Sequence, residues 1–179
     1  MPGFTIGDAA NGNEGKRNVA EFRRKHRWRL SATDGPITNQ EFLYLKTAQR
    51  PSFEFTEAIV HHDQEEAYFA GKQKWTPIEV TFYDAVQGEG VSDISEKMYD
   101  WVKSVCDIPK ASVHTPKEYK KTLQIQSTDA SGKPDETWTL FGAWPIKSNW
   151  QDLQYESSEI QTVAITIKYD RAERDSGAR

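Results

Sequence analysis

The sequence lacks several features on which whole classes of protein depend. Its 179 residues hold one cysteine, Cys106, which excludes an internal disulfide and a cysteine-rich metal site. No stretch approaches the roughly 18 consecutive apolar residues of a membrane-spanning helix. Residues 1–25 hold no apolar core of the signal-peptide type. We therefore expect no association with a membrane, and a single thiol fits assembly in a reducing cytoplasm.

Catalytic and cofactor signatures are missing as well. The chain has no glycine-rich phosphate loop, nucleophile elbow, zinc-ligand spacing or dinucleotide fingerprint. His61 and His62 are adjacent, and adjacent strand residues point to opposite faces, so the two rings cannot readily share a metal ion. Cys106 falls in the last turn of a predicted helix, with no nearby cation to activate it. We expect no enzyme, no cofactor and no bound metal.

Strong positive charge is also absent, because the formal net charge is −4. Tight, sequence-independent DNA binding needs many Lys and Arg residues and is therefore disfavoured. One basic run stands out at residues 22–30, where alternation predicts a strand with Arg23, Lys25, Arg27 and Arg29 on one face. Three interpretations stay open for this face: exposure to solvent, pairing with acidic residues of another subunit, or binding of single-stranded nucleic acid.

Aromatic residues are plentiful for so polar a chain, with 6 Trp, 7 Tyr and 8 Phe. Such rings suit thin sheets and subunit interfaces, and equally an ordinary small core. Alternation of apolar and polar residues predicts further strands at 42–49, 53–60, 78–84, 119–127, 137–146 and 160–169. Gly142 lies inside one of these strands and predicts a bulge or a close approach.

One helix is predicted at 92–106. Asp93 can cap it, because Glu96 follows three residues later, and an apolar stripe through Met98 and Trp101 indicates a buried face. These elements predict a mainly β fold: an antiparallel β barrel or sandwich of six to eight strands with one flanking α-helix and a long inter-strand loop. Residues 1–18 and 172–179 are expected to be flexible ends of one domain spanning 19–171.

The long loop before strand 78–84 is rich in aromatic rings. It either folds back on its own core or docks on a partner, and a lone domain would leave its rings exposed. We therefore predict that it contacts another subunit through Tyr68, Phe69, Lys72, Lys74 and Trp75.

Three stretches carry a resemblance to a known family: 42–51, 68–76 and 80–84, which read FLYLKTAQRP, YFAGKQKWT and VTFYD. The helix with Trp101, the aromatic strand 138–144 and the closing residues 166–170 follow in order. Together they resemble the tail tube proteins of contractile-tailed bacteriophages over roughly residues 22–170. The resemblance implies a β barrel with a flanking helix, hexameric rings closed by edge-to-edge strand pairing, and stacking of rings into a hollow tube. Similar tubes occur in type VI secretion.

The resemblance further implies a structural virion protein assembled in the host cytoplasm. Its partners would be sister copies, the tail sheath protein, and baseplate and tail-terminator proteins, while genomic DNA would pass through the lumen without specific binding. A baseplate tube-initiator or tail-completion protein of the same fold is the nearest alternative. The N-terminal arm is longer and richer in Gly and Asn than the family leads one to expect.

Several predicted strands have a second face of small or polar residues without strong charge. In a ring whose sheets join into one large barrel, such a face would line a wet channel. The residues predicted to face this lumen are Glu54, Thr56, Lys120, Thr122, Gln124, Gln126, Thr162, Thr166 and Lys168.

Overall fold

The computed structural model describes residues 23–33, 44–86, 93–107, 109–156 and 158–176, so the expected arm at 1–18 lies outside the described residues. In chain order the elements are β1 (Trp28–Ala32), β2 (Leu45–Ala48), β3 (Ser52–His62), β4 (Glu65–Thr76), β5 (Ile78–Tyr83), α1 (Ile94–Val105), β6 (Cys106–Asp107), β7 (Ser112–Val113), α2 (Pro116–Tyr119), β8 (Lys121–Thr128), β9 (Pro134–Trp150), β10 (Thr162–Lys168) and β11 (Arg171–Ser176).

Seven of the eleven strands in the described residues form one antiparallel sheet, which confirms the expected mainly β, antiparallel fold. Its order is β1-β8-β9-β10-β5-β2, and β11 pairs with β9 as well. The 17-residue strand β9 divides this sheet into two parts. Its first half pairs with β8 and β11, and its second half pairs with β10. Gly142, with φ +65°, lies between the two halves.

The two parts of the sheet share one core. Val163, Ile165 and Ile167 of β10 are buried, as the alternation predicts. Leu123 and Leu140, from the other part of the sheet, belong to the same apolar cluster. Because both apolar faces belong to this core, the alternating polar residues of the two parts point away from it.

Helix α1 begins where the sequence predicts. The Asp93 carboxylate accepts a hydrogen bond from the Glu96 amide at 3.0 Å, which satisfies one of the unpaired donors of the first turn. Ile94, Met98 and Trp101 are buried against the core. The single-turn helix α2 was not predicted; Thr115 and Glu118 close it in a capping box.

Three expectations are corrected. The basic run is a strand only from Trp28, because residues 23–27 turn and the Arg27 amide bonds the Arg24 carbonyl at 3.2 Å. Residues 172–176, expected as a flexible tail, belong to β11, whose backbone pairs with β9. The expected long loop is itself a strand, β4, which forms a hairpin with β3.

No helix in the described parts of the chain is long and apolar enough to cross a membrane.

Candidate functional site

The β3–β4 hairpin, residues 52–76, pairs with no other strand among the described residues. We call it the projecting hairpin. All residues of β3 are exposed, and a strand of 11 residues is about 35 Å long. A two-stranded hairpin is marginal in water by itself, so its contacts with the rest of the domain matter for its stability.

A bulge divides the projecting hairpin in the middle. The register shifts between Phe55 and Glu57, and the Lys72 amide donates to the Thr56 hydroxyl at 2.8 Å. A Cβ atom at Gly71 would lie 2.6 Å from the Thr56 carbonyl oxygen, so only glycine allows this approach of the two strands.

The base of the hairpin is fixed to the body by aromatic rings. Trp75 packs against Tyr169 with ring centroids 5.7 Å apart, and Phe53 lies edge-on to Trp75 at 5.2 Å. Burial raises the pKa of the Tyr169 hydroxyl, and the nearby Ser52 backbone partly opposes that rise. Of the two interpretations of the aromatic segment, folding back on its own core therefore applies to Trp75.

The outer part of the hairpin, residues 57–70, is the distal half. Tyr68 and Phe69 are 63% and 57% exposed, and Ile59 and Val60 are 46% and 52% exposed. Ile59 lies opposite Tyr68, whereas Val60 lies on the other face, so both faces of the distal half are partly apolar. The distal half therefore presents apolar side chains to solvent on both faces.

The charges of the distal half are all acidic apart from two histidines. It contains Glu57, Asp63, Glu65 and Glu66 and no Lys or Arg. Tyr68 donates to the Glu66 carboxylate at 2.8 Å, and this bond raises the Tyr68 pKa. The two predicted lysines lie nearer the base, where Lys72 is exposed and Lys74 Nζ lies 3.5 Å from a Glu54 carboxylate oxygen.

The polar row on β8 is half-buried and points away from the core. Gln124 and Gln126 alternate with the buried Leu123 and Ile125, and Thr122 precedes them. Arg29 donates to the Gln126 side-chain oxygen at 2.7 Å. Lys120 lies outside the strand, and its ammonium binds the Asp170 carboxylate at 2.7 Å.

The polar row on β10 belongs to the other part of the sheet. Lys168 is exposed and Thr166 is half-buried. Thr162 is 1% exposed, and its hydroxyl donates to Gln151 at 2.6 Å, so it contributes no exposed surface in this chain. The β8 and β10 rows both point away from the shared core, and they belong to different parts of the sheet.

A cluster of charged residues that the sequence did not indicate centres on Glu136 of β9. It joins this strand to Arg23, which precedes β1, and to Arg174 of β11. The Glu136 side chain is 4% exposed and accepts hydrogen bonds from Trp138 Nε1 at 2.5 Å and from Arg23. Arg174 of β11 also reaches it, at 3.3 Å. Burial acts to raise the Glu136 pKa, but these hydrogen bonds and positive charges outweigh it, and the net pKa is lowered.

A cleft of about 560 Å³ lies between β1 and β2, the two end strands of the sheet order. We call it the basic cleft. Its charged lining residues within the described part of the chain are all basic: Arg23, Arg24, Lys25, Arg27, Lys46 and Arg50. The sequence shows the basic run at 23–29, but it gives no signal that Lys46 and Arg50 lie opposite.

Comparison with known proteins gives a consistent result. The model of the T4-like virus tail tube protein gp19 family matches residues 45–173. The tail tube protein of Serratia phage KSP90 is 25% identical over 160 residues, covering 86% of this chain and 89% of the phage protein.

Solved structures share the fold. The tube-terminating cap of the anti-feeding prophage has a TM-score of 0.71 at 16% identity, covering 91% of this chain and 97% of the cap chain. A chain from the sheath-tube complex of the PVC extracellular contractile injection system has a TM-score of 0.67 at 16% identity, covering 97% and 99%. At such low identity, these structures establish a common fold.

Proposed function

This chain belongs to the T4-like virus tail tube protein gp19 family, and on that premise we propose that it is the subunit of the inner tube of a contractile phage tail. Copies close into hexameric rings, and the rings stack into a hollow tube inside the sheath. The protein is a structural component of the virion, assembled in the host cytoplasm. During ejection, the genome passes through the tube without specific binding.

The projecting hairpin is the observation that carries this proposal. It exposes Tyr68 and Phe69 and has no partner strand among the described residues of its own chain. A neighbouring copy supplies the missing cover, because burying apolar surface of this kind is worth about 25 cal/mol per Å². Repetition of one such contact along a ring or between rings builds a polymer from identical subunits.

Microscopy of the purified protein tests the proposal. In negative stain at high concentration we expect hollow tubes or stacked rings of uniform diameter. The sheath, baseplate and terminator proteins are expected to co-purify with the tube in particles. A protein that stays monomeric at every concentration would contradict the assignment.

One polar sheet face forms the channel wall in this proposal. We assign the wall to Thr166 and Lys168, with Glu54 and Thr56 beside them, because the Trp75–Tyr169 contact puts the opposite hairpin face on the core side. A channel wall of uncharged and mixed-charge groups does not bind DNA tightly, so DNA can move along it. A density map of the tube tests this, and Thr166 on the outer wall would exclude it.

The second candidate function is that of a tube initiator or terminator of the same fold. It is retained because a tube-terminating cap shares this fold. Copy number separates the two roles. A tube subunit is present in many stacked rings per particle, whereas an initiator or terminator is present in a single ring at one end. Quantitative mass spectrometry of purified particles, scaled to the sheath protein, gives the ratio directly.

A further inference from the structure

The basic cleft is an opening between two unpaired strand edges. Within the described chain β1 pairs only with β8, and β2 pairs only with β5, so each leaves backbone donors and acceptors without a strand partner. Arg50, which follows β2, donates to the Ser127 hydroxyl of β8 at 3.2 Å, and Trp28 of β1 pairs with Ser127, so the end of β2 lies near the β1–β8 pair.

The charge of the cleft calls for an anionic occupant. Arg23 is already paired with Asp135 and Glu136, but Arg24 and Lys25 are exposed beside it, and no Asp or Glu of the described residues lines the cleft. Positive charges held together in this way repel each other and lower the cost of bringing a negative group among them.

The chain itself carries a matching element. The distal half of the projecting hairpin has four carboxylates, no Lys or Arg, and exposed Tyr68 and Phe69. In its own chain this half lies in solvent, so it does not fill its own cleft. Contact between two copies would place the carboxylates of the hairpin among the cations of the cleft. The same contact would bury the exposed apolar side chains of the hairpin.

We propose that the distal half of the projecting hairpin of one copy docks in the basic cleft of another. Glu65 and Glu66 pair with cations of the cleft, and the exposed rings cover the apolar lining at Trp28 and Ile125. We take the contact as head-to-tail, because a head-to-tail contact propagates into the rings or filaments of a tube, whereas a reciprocal exchange of hairpins closes a two-fold dimer. This inference rests on the proposed function, and it identifies the basic cleft as the surface that binds the projecting hairpin of another copy.

Charge reversal tests the pairing. Arg24→Glu with Lys25→Glu, and separately Glu65→Lys with Glu66→Lys, are each expected to raise the concentration needed for assembly by about tenfold or more. The variant that combines all four changes restores attraction and assembles within about threefold of the native protein. Pelleting by ultracentrifugation measures assembly, and circular dichroism verifies folding of every variant.

Two matched controls sharpen the result. Lys110→Glu alters an exposed cation outside the cleft and should leave assembly unchanged. Asp152→Lys reverses a carboxylate in the separate acidic loop 151–161, and it should not rescue the cleft variant. Rescue by Asp152→Lys in place of the hairpin changes would overturn the proposal.

A second measurement needs no variant. Carbodiimide joins a lysine to a carboxylate that touches it, and in native assemblies mass spectrometry should find Lys25 or Lys46 joined to residues 57–70. Mixed isotope-labelled copies show that the link is between chains. Native tubes without such links, or a combined variant that stays unassembled, would overturn the docking while leaving the tube function intact. Loss of oligonucleotide binding in the cleft variant, with assembly unchanged, would instead assign the cleft to nucleic acid.

Discussion

Trp75 and Tyr169 pack ring against ring at 5.7 Å, and this contact joins the projecting hairpin to the folded body. Tyr169 is buried directly after β10, and Trp75 lies near the end of β4. The rings therefore fix the direction in which the hairpin leaves the domain, while its outer residues remain available to a partner.

Trp75→Ala should destabilise the unassembled protein. Full truncation of a buried Trp costs about 3–5 kcal/mol, and for the half-buried Trp75 we expect on the order of 2 kcal/mol. Urea unfolding followed by circular dichroism measures the change. Unchanged unfolding would show that the ring contact does not stabilise the domain.

Tyr68→Ser combined with Phe69→Ser should leave the stability of the unassembled protein nearly unchanged but prevent assembly. Both side chains are exposed, so the free energy of unfolding of the unassembled protein is expected to change by no more than about 0.5 kcal/mol. Assembly should be lost, because the apolar cover between copies is removed. Val113→Ser is the control, since Val113 is 72% exposed and lies outside the hairpin. A sharp fall in stability with intact assembly would contradict the assigned role.

Gly142→Ala should destabilise the fold more than Gly132→Ala. Both glycines have positive φ, which costs a residue with a side chain about 1 kcal/mol. A Cβ atom meets open space at Gly132, but at Gly142 it would collide with the Asp170 carboxylate, which binds Lys120. Adding Asp170→Ala should recover part of the Gly142→Ala loss. Equal effects at the two glycines would show that the collision is relieved at no cost.

Ionised Glu136 should stabilise the folded protein at neutral pH, and this stabilisation should be lost in acid. Its pKa is lowered in the folded state, so the stabilisation is fully present above the unfolded-state pKa of about 4.3 and is lost as pH falls through the folded-state value. Glu136→Gln should cost about 2 kcal/mol at neutral pH, as expected for hydrogen bonds to a charged group. The difference between native and variant unfolding free energies should shrink below pH 4; a constant difference would contradict the ionised cluster.

The sequence by itself determined the faces of most strands and the helix. Val163, Ile165 and Ile167 alternate with polar residues, and Asp93 is followed by Glu96 at the spacing of a cap, so neighbours along the chain define these elements. The basic run at 23–29 and the acidic, aromatic segment at 57–70 were also visible as local patterns.

Only the tertiary structure decided how these patterns meet. It made the expected loop a hairpin and made residues 172–176 of the expected tail part of strand β11. It also brought Lys46 and Arg50 opposite Arg24. Strand pairing joins residues far apart in the chain, and its energy depends on which surfaces are buried together, so local periodicity cannot specify it.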